Sequence, residues 1–302
     1  MLKKSISFVI PAYNCFTTIV ESVESILNNN FYEGDEIIIV NDCSTDNTSE
    51  VLGEIKKEYP FIIIINNGKN KGCPASRNVG IKVAKNSLIF NLDSDDVLFS
   101  GSVKKLRDYM ILYNADMAAF GSMYFFKKNI KNITHKWIFK EGIFTLADFL
   151  SGPIVPGGNY LYTKKSWERI GGYWEYGKGL HEFWGFTLKQ LACGAKFAIM
   201  PNSFYYHRHG TGRSLFIEES KITNGNFLTT KMIKPFLYLI ENEDVKYIMS
   251  REGRMSWFSN LYKIPIRVKG EKKGRTGIVI YSKKEKLKLY LKSIIGKVYK
   301  KN

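Results

Sequence analysis

The sequence is poor in cysteine and histidine, with four of each in 302 residues, and no apolar run approaches the roughly 20 residues that cross a bilayer. Cys15, Cys43, Cys73 and Cys193 are widely and irregularly spaced, without a C-x-x-C pair. That spacing argues against a zinc site and against a disulfide framework, and the four read as reduced structural thiols. The longest apolar stretches, residues 61–65 and 37–40, are only strand-sized. Met1-Leu2-Lys3-Lys4 leads into a strand-like segment that soon meets Pro11 and Asn14, without the apolar core and cleavage site of a secretory signal. The expectation is a cytoplasmic chain, in which the two sequons at Asn47 and Asn132 would never meet the glycosylation machinery. Internal repeats and low-complexity linkers are also missing.

What the chain has in excess is positive charge, +17 in all. The excess is not spread evenly. Residues 1–220 hold 25 Lys and Arg against 22 Asp and Glu, whereas residues 221–302 hold 20 against 6. A uniform excess would suggest a face for duplex nucleic acid. A localised one points instead to a steering or anchoring segment on a near-neutral domain, so nucleic acid is not expected as a partner. The division predicts a catalytic domain over 1–220 and a basic, mainly helical extension over 221–302.

The first hundred residues alternate strand and helix patterns, as in an α/β protein with a parallel sheet. Strands are predicted at 6–10, 36–40, 61–65 and 87–92, and helices at 17–28, 47–57 and 75–84, from the apolar spacing. Polar clusters follow the strands: Tyr13-Asn14, Asn41-Asp42, residues 67–71 and residues 93–96. Sheets of this kind bind ligands at the carboxyl ends of their strands, so four loops should converge on one edge.

Asp93-Ser94-Asp95-Asp96 is the most informative of these clusters. Three carboxylates in four residues repel one another unless a cation neutralises them, and all-oxygen ligands suit Mg²⁺ or Mn²⁺. A solvated turn, with Asp95 or Asp96 capping a helix over 97–110, explains the same residues without a metal. The run Gly72-Cys73-Pro74-Ala75-Ser76-Arg77-Asn78 sets a turn before a helix whose first residues include Arg77, an arrangement suited to an anion.

Four segments, residues 9–14, 39–46, 72–78 and 91–96, resemble in order and spacing those of family 2 glycosyltransferases. The resemblance covers roughly residues 5 to 215. It implies a GT-A fold, a nucleoside-diphosphate sugar donor, commonly UDP-linked, an inverting transfer, and Mn²⁺ or Mg²⁺. It further implies that Pro11, Ala12 and Tyr13 hold the nucleobase and that Asp42 accepts a hydrogen bond from it. Arg77 would lie near base or phosphates, Asp93 would face the ribose or metal, and Asp95 would bind the metal. Gly171-Gly172-Tyr173 and His181-Glu182-Phe183 resemble the family's later turn and acidic pair. Phe183 stands where the family places its Asp base, which leaves Glu182 as the catalytic candidate, with a helix N-terminal charge as its plain alternative. Residues 205–214 resemble the segment that returns to the diphosphate, with His209 as a further metal ligand and Arg208 and Arg213 near phosphate. The expected acceptor is a glycan or a lipid-linked acceptor in cell-surface polysaccharide or glycoconjugate synthesis. Phe183 also keeps open a non-transferring carbohydrate- or nucleotide-binding module.

From Leu287 onward, Leu287, Tyr290, Leu291, Ile294, Ile295, Val298 and Tyr299 recur at helical spacing among lysines. Such a helix suits an anionic membrane surface, which would place the chain peripherally on the inner face of the cell membrane. The same stripe would equally serve to pack on the domain or on a second subunit in an oligomer.

Overall fold

The computed structural model describes residues 4–28, 30–151, 155–176, 182–210, 230–250 and 266–288. Its amino-terminal half is the expected α/β sheet. Strands β1 (Ile6–Ala12), β2 (Glu36–Asn41), β3 (Ile63–Asn66) and β4 (Leu88–Asn91) are rich in Ile, Val and Phe. β1, β2 and β4 are almost wholly buried, as strands covered on both faces must be. They pair in parallel in the order β3-β2-β1-β4, connected by helices α1 (Ile19–Leu27), α2 (Thr48–Glu58) and α3 (Cys73–Val83). Pro74 sits in the first turn of α3, where its missing N–H costs nothing.

Beyond β4 the chain departs from one expectation. Residues 97–110 do not form one helix. Val97–Leu98 is a short strand, β5, and the helix α4 begins only at Ser102 and runs to Leu112. β5 is held by pairing with Tyr205 and Tyr206 of β10 (Phe197–Arg208), a contact more than 100 residues away that local periodicity does not carry.

The sheet continues with antiparallel pairings through β9 (Leu161–Thr163), β6 (Met117–Phe126) and β7 (Ile133–Ile138) to β11 (Ile278–Tyr281). β10 runs parallel to β6, and its register shifts between Met200 and Phe204, around Pro201 and Asn202. The shift lets its first half pair with β8 (Gly142–Phe144) and its second with β5. Helices α5 (Leu146–Leu150), α6 (Lys164–Arg169) and α7 (Glu182–Ala192) complete the domain. In the extension, a 3₁₀ turn at Lys234–Leu239 and α8 (Asn242–Met249) precede β11, which pairs antiparallel with β7. The extension thus supplies a strand of the sheet.

Candidate functional site

The loops after β1, β2 and β3 are tied together before any ligand arrives. Asn14 reaches across to Thr45, accepting its main-chain N–H at 2.8 Å, and the Asn14 N–H donates to Ser44 Oγ at 3.1 Å. Pro11 and Ala12 end β1, buried, with Tyr13 half-buried beside them at the sheet's carboxyl edge. Asp42 is buried. Its carboxylate accepts the N–H groups of Lys71 (3.0 Å) and Gly72 (2.7 Å) and the Asn67 amide (2.7 Å). It therefore holds the turn that leads into α3, and a base would compete with those donors for it.

Arg77 is carried on α3 and fully buried. A guanidinium in such a place needs compensating charge. Asp93 supplies it on one side by an ion pair through Nη2, and Glu182 on the other at 2.6 Å from Nη1. Arg77 so joins the end of β4 to the start of α7, bringing together three residues distant in sequence. Burial raises the Glu182 carboxyl, and Arg77 opposes the rise.

The three aspartates after β4 have three different fates. Asp93 binds Arg77. Asp96, wholly buried, accepts the Asn159 amide at 2.7 Å, His207 Nδ1 at 3.0 Å and the Arg208 N–H at 3.0 Å. Asp95 is half-buried, and among the described residues its carboxylate receives no hydrogen bond; only its carbonyl does, from Arg208 Nε at 3.0 Å. Burial first, then Asp96 and Asp93, push Asp95 up to about 7. Burial works against the His207 imidazolium, yet Asp96, with Asp95 and Asp93 behind it, raises that ring to about 9.

Asn159 completes this arrangement. Its Oδ1 accepts the Asp93 N–H at 2.9 Å while its Nδ2 donates to Asp96, so one buried amide fixes both ends of the acidic turn. The loop before it is equally close. Gly158, at φ +74°, lies so near that a Cβ there would be 3.2 Å from Asp93 Oδ2, and a Cβ on Gly157 would be 3.1 Å from the Phe183 ring. The Tyr205 hydroxyl donates to the Gly157 carbonyl at 2.9 Å. Phe183 is thus a wall beneath this loop.

The structure does not bring all the expected residues together. His209 Nε2 lies 2.8 Å from Thr134 Oγ1, with its ring against Phe125 and His135, and it is His207 that touches the acidic turn. Arg208 binds Glu21 and the carbonyls of Asp95 and Lys127 rather than facing outward. His181 and Arg213 lie outside the described residues. Asn159, Asp96 and His207 are the contributors that sequence reasoning passed over or ranked low. The only local hint was an Asn at the end of a Gly-Gly turn.

Among the described residues, no three His, Cys, Asp or Glu side chains form a ready metal cage. The donor set nevertheless fits a hard divalent ion of the kind that keeps waters and bridges one or two carboxylates to a diphosphate. The Asp95 carboxylate is half-buried, without a hydrogen bond among the described residues and crowded by negative neighbours, and Asp93 stands two residues before it in the chain.

A parallel sheet whose carboxyl edge carries this acidic turn defines a GT-A type α/β protein. The chain belongs to glycosyl transferase family 2, whose profile matches residues 7–171. Glu182 and His209 lie beyond the matched stretch. A UDP-Glc:alpha-D-GlcNAc-diphosphoundecaprenol beta-1,3-glucosyltransferase, WfaP, of Escherichia coli is 45% identical over 91 residues, which are 30% of this chain and 35% of that protein. A poly(ribitol-phosphate) beta-glucosyltransferase of Bacillus spizizenii is 42% identical over 106 residues, 34% of this chain and only 16% of its own length. Among solved structures, S. aureus TarS 1-349 in complex with UDP-GlcNAc aligns with a TM-score of 0.65 at 19% identity, over 84% of this chain and 73% of that one. The last of these supports the fold, and the first two match about a third of this chain.

Proposed function

We propose that this chain transfers a sugar, with inversion, from a UDP-linked donor to a hydroxyl of a glycan or lipid-linked acceptor in cell-surface polymer synthesis. The observation that carries the reading is the half-buried Asp95 carboxylate, which receives no hydrogen bond among the described residues, next to the buried Asp93–Arg77–Glu182 chain, at the sheet edge where nucleotides bind. Tyr13 offers a ring for the base, and the Asp42-braced turn shapes the loop over it. Asp95, with Asp93, would hold Mn²⁺ or Mg²⁺, which when bound supplies charge to the departing diphosphate. Arg77 keeps Asp93 aimed.

In the transfer, the acceptor oxygen attacks the anomeric carbon as the bond from that carbon to the diphosphate oxygen breaks. The diphosphate leaves with the electron pair, and the acceptor proton passes to a carboxylate. Glu182 is the group proposed for that proton. Its ion pair with Arg77 must loosen as the donor binds. The apolar Phe183 wall favours one other reading, a module that binds donor without transfer.

The test is a screen of UDP-sugars with Mn²⁺ or Mg²⁺, reading UDP release with and without acceptor glycans. Metal-dependent release from one donor is expected. Tight UDP binding with no release from any donor would establish the binding module instead. We place the chain on the cytoplasmic side, held at the membrane by the basic segment after Leu287; residues 289–302 of that segment lie outside the described residues. No helix among the described residues is long and apolar enough to cross a membrane.

A further inference from the structure

We infer that the β6–β7 hairpin and residues 282–288 form one basic face that seats on an anionic lipid surface and holds the acidic turn at headgroup height. This goes beyond attachment through the terminal segment, because it assigns the contact to a folded part of the sheet.

The two parts are joined by β-pairing. Tyr281 stands opposite His135, and the Ser282 N–H donates to the Thr134 carbonyl at 2.8 Å, so residues 282–288 run beside the hairpin tip. Lys127, Lys128 and Lys131 are exposed on the tip, and Lys283, Lys284, Lys286 and Lys288 on the neighbouring segment. Against these seven lysines, residues 127–134 and 282–288 hold one carboxylate, Glu285, already paired with Lys288 at 3.1 Å. The face adjoins the site: Arg208 donates to the Lys127 carbonyl with one arm and to the Asp95 carbonyl with another.

Charge alone would suit any polyanion. The apolar side chains set among the lysines narrow the choice. Leu287 is 58% exposed, and Ile278, Ile280 and Tyr281 are exposed along β11, the end strand of the sheet among the described residues. A soluble phosphate polymer gains nothing from them. A lipid interface accepts both the lysines and the apolar groups. A surface there would also bring a lipid-linked acceptor to the mouth of the site.

The experiment is cosedimentation of the full chain with phosphatidylcholine vesicles that contain or lack phosphatidylglycerol, with inorganic polyphosphate as the soluble polyanion. Binding is expected only to the anionic vesicles. Charge reversal on the hairpin, K127E/K128E/K131E, should weaken it about tenfold or more although residues 289–302 are intact, and K283E/K284E should do the same from the other limb. Leu287→Ser should weaken vesicle binding and leave polyphosphate binding unchanged. Vesicle binding by both charge-reversed variants at the wild-type level overturns the inference, as does Leu287→Ser binding like wild type while polyphosphate is held as tightly as vesicles. UDP release by the same preparations should not change, and its absence in the wild type would count against the transferase reading alone.

Discussion

Three neighbouring aspartates separate because each has different partners, and Asp95 is the one whose carboxylate receives no hydrogen bond among the described residues. A carboxylate pushed up to about 7 holds its proton more tightly in the folded chain than in the unfolded one, where it titrates near 3.8. Stability should therefore fall as pH rises from about 4 toward 7, in the absence of a divalent ion. Asp95→Asn should match wild type in acid and melt at a higher temperature above pH 7. Equal melting temperatures across that range would show that Asp95 bears no such strain. With UDP present, Mn²⁺ should raise the melting temperature of the wild type and leave Asp95→Asn where it was. Asn159 carries the complementary prediction. Its removal takes one donor from the buried Asp96 carboxylate, which keeps His207, and leaves the Asp93 N–H without its acceptor, so Asn159→Ala should cost about 1–3 kcal/mol in urea unfolding and also weaken metal-supported UDP binding. A loss of stability with undiminished UDP binding would make Asn159 a packing residue only.

At the scale of elements, the parallel half was legible because its signals are local. Ile- and Val-rich runs, helical spacing and Gly-Pro breaks mark β1 to β4 and α1 to α3 within a residue or two of where they stand. β5 was not legible, since Val97 and Leu98 are strand only through Tyr205 and Tyr206. The same limit hid Asn159 and promoted His209 over His207. Which of two histidines at the end of β10, one on the strand and one just past it, meets an aspartate 111 residues before the first is a matter of sheet registration. β11 is another element that spacing did not announce, and a clamp just before it explains its place. Arg275 forks onto Asp148 and donates to the Ile143 carbonyl at 2.7 Å. Gly274 passes so close to α5 that a Cβ would overlap the Ala147 carbonyl and the Ser151 hydroxyl. Gly274→Ala should therefore expel this segment and free β11. Faster amide exchange over 133–138 and proteolysis near Lys272 and Lys273 would report it; unchanged exchange at β7 would mean that β11 holds without the clamp.

Across the whole molecule, chemistry and charge occupy different parts of the chain. Every described residue assigned to the donor site precedes 210, while residues 221–302 hold 20 basic residues against 6 acidic ones. The structure modifies that division without removing it, because β11 joins the sheet on β7, beside β6, the strand that pairs with β10 and its His207. A deletion that spares β11 and the 282–288 segment is thus the informative cut. Removing residues 289–302 should leave UDP release from soluble donor unchanged, since no donor-site contact among the described residues comes from beyond residue 208. The same cut should weaken binding to anionic vesicles, and the remainder, held by the hairpin lysines, should vanish in 1 M salt, where the Debye length shrinks to about 3 Å. Insertion of the terminal apolar stripe would resist that salt in the full chain. If the truncated chain instead became insoluble or lost an oligomeric state seen in the full one, the stripe would be a packing surface, and membrane attachment would rest on the folded face alone.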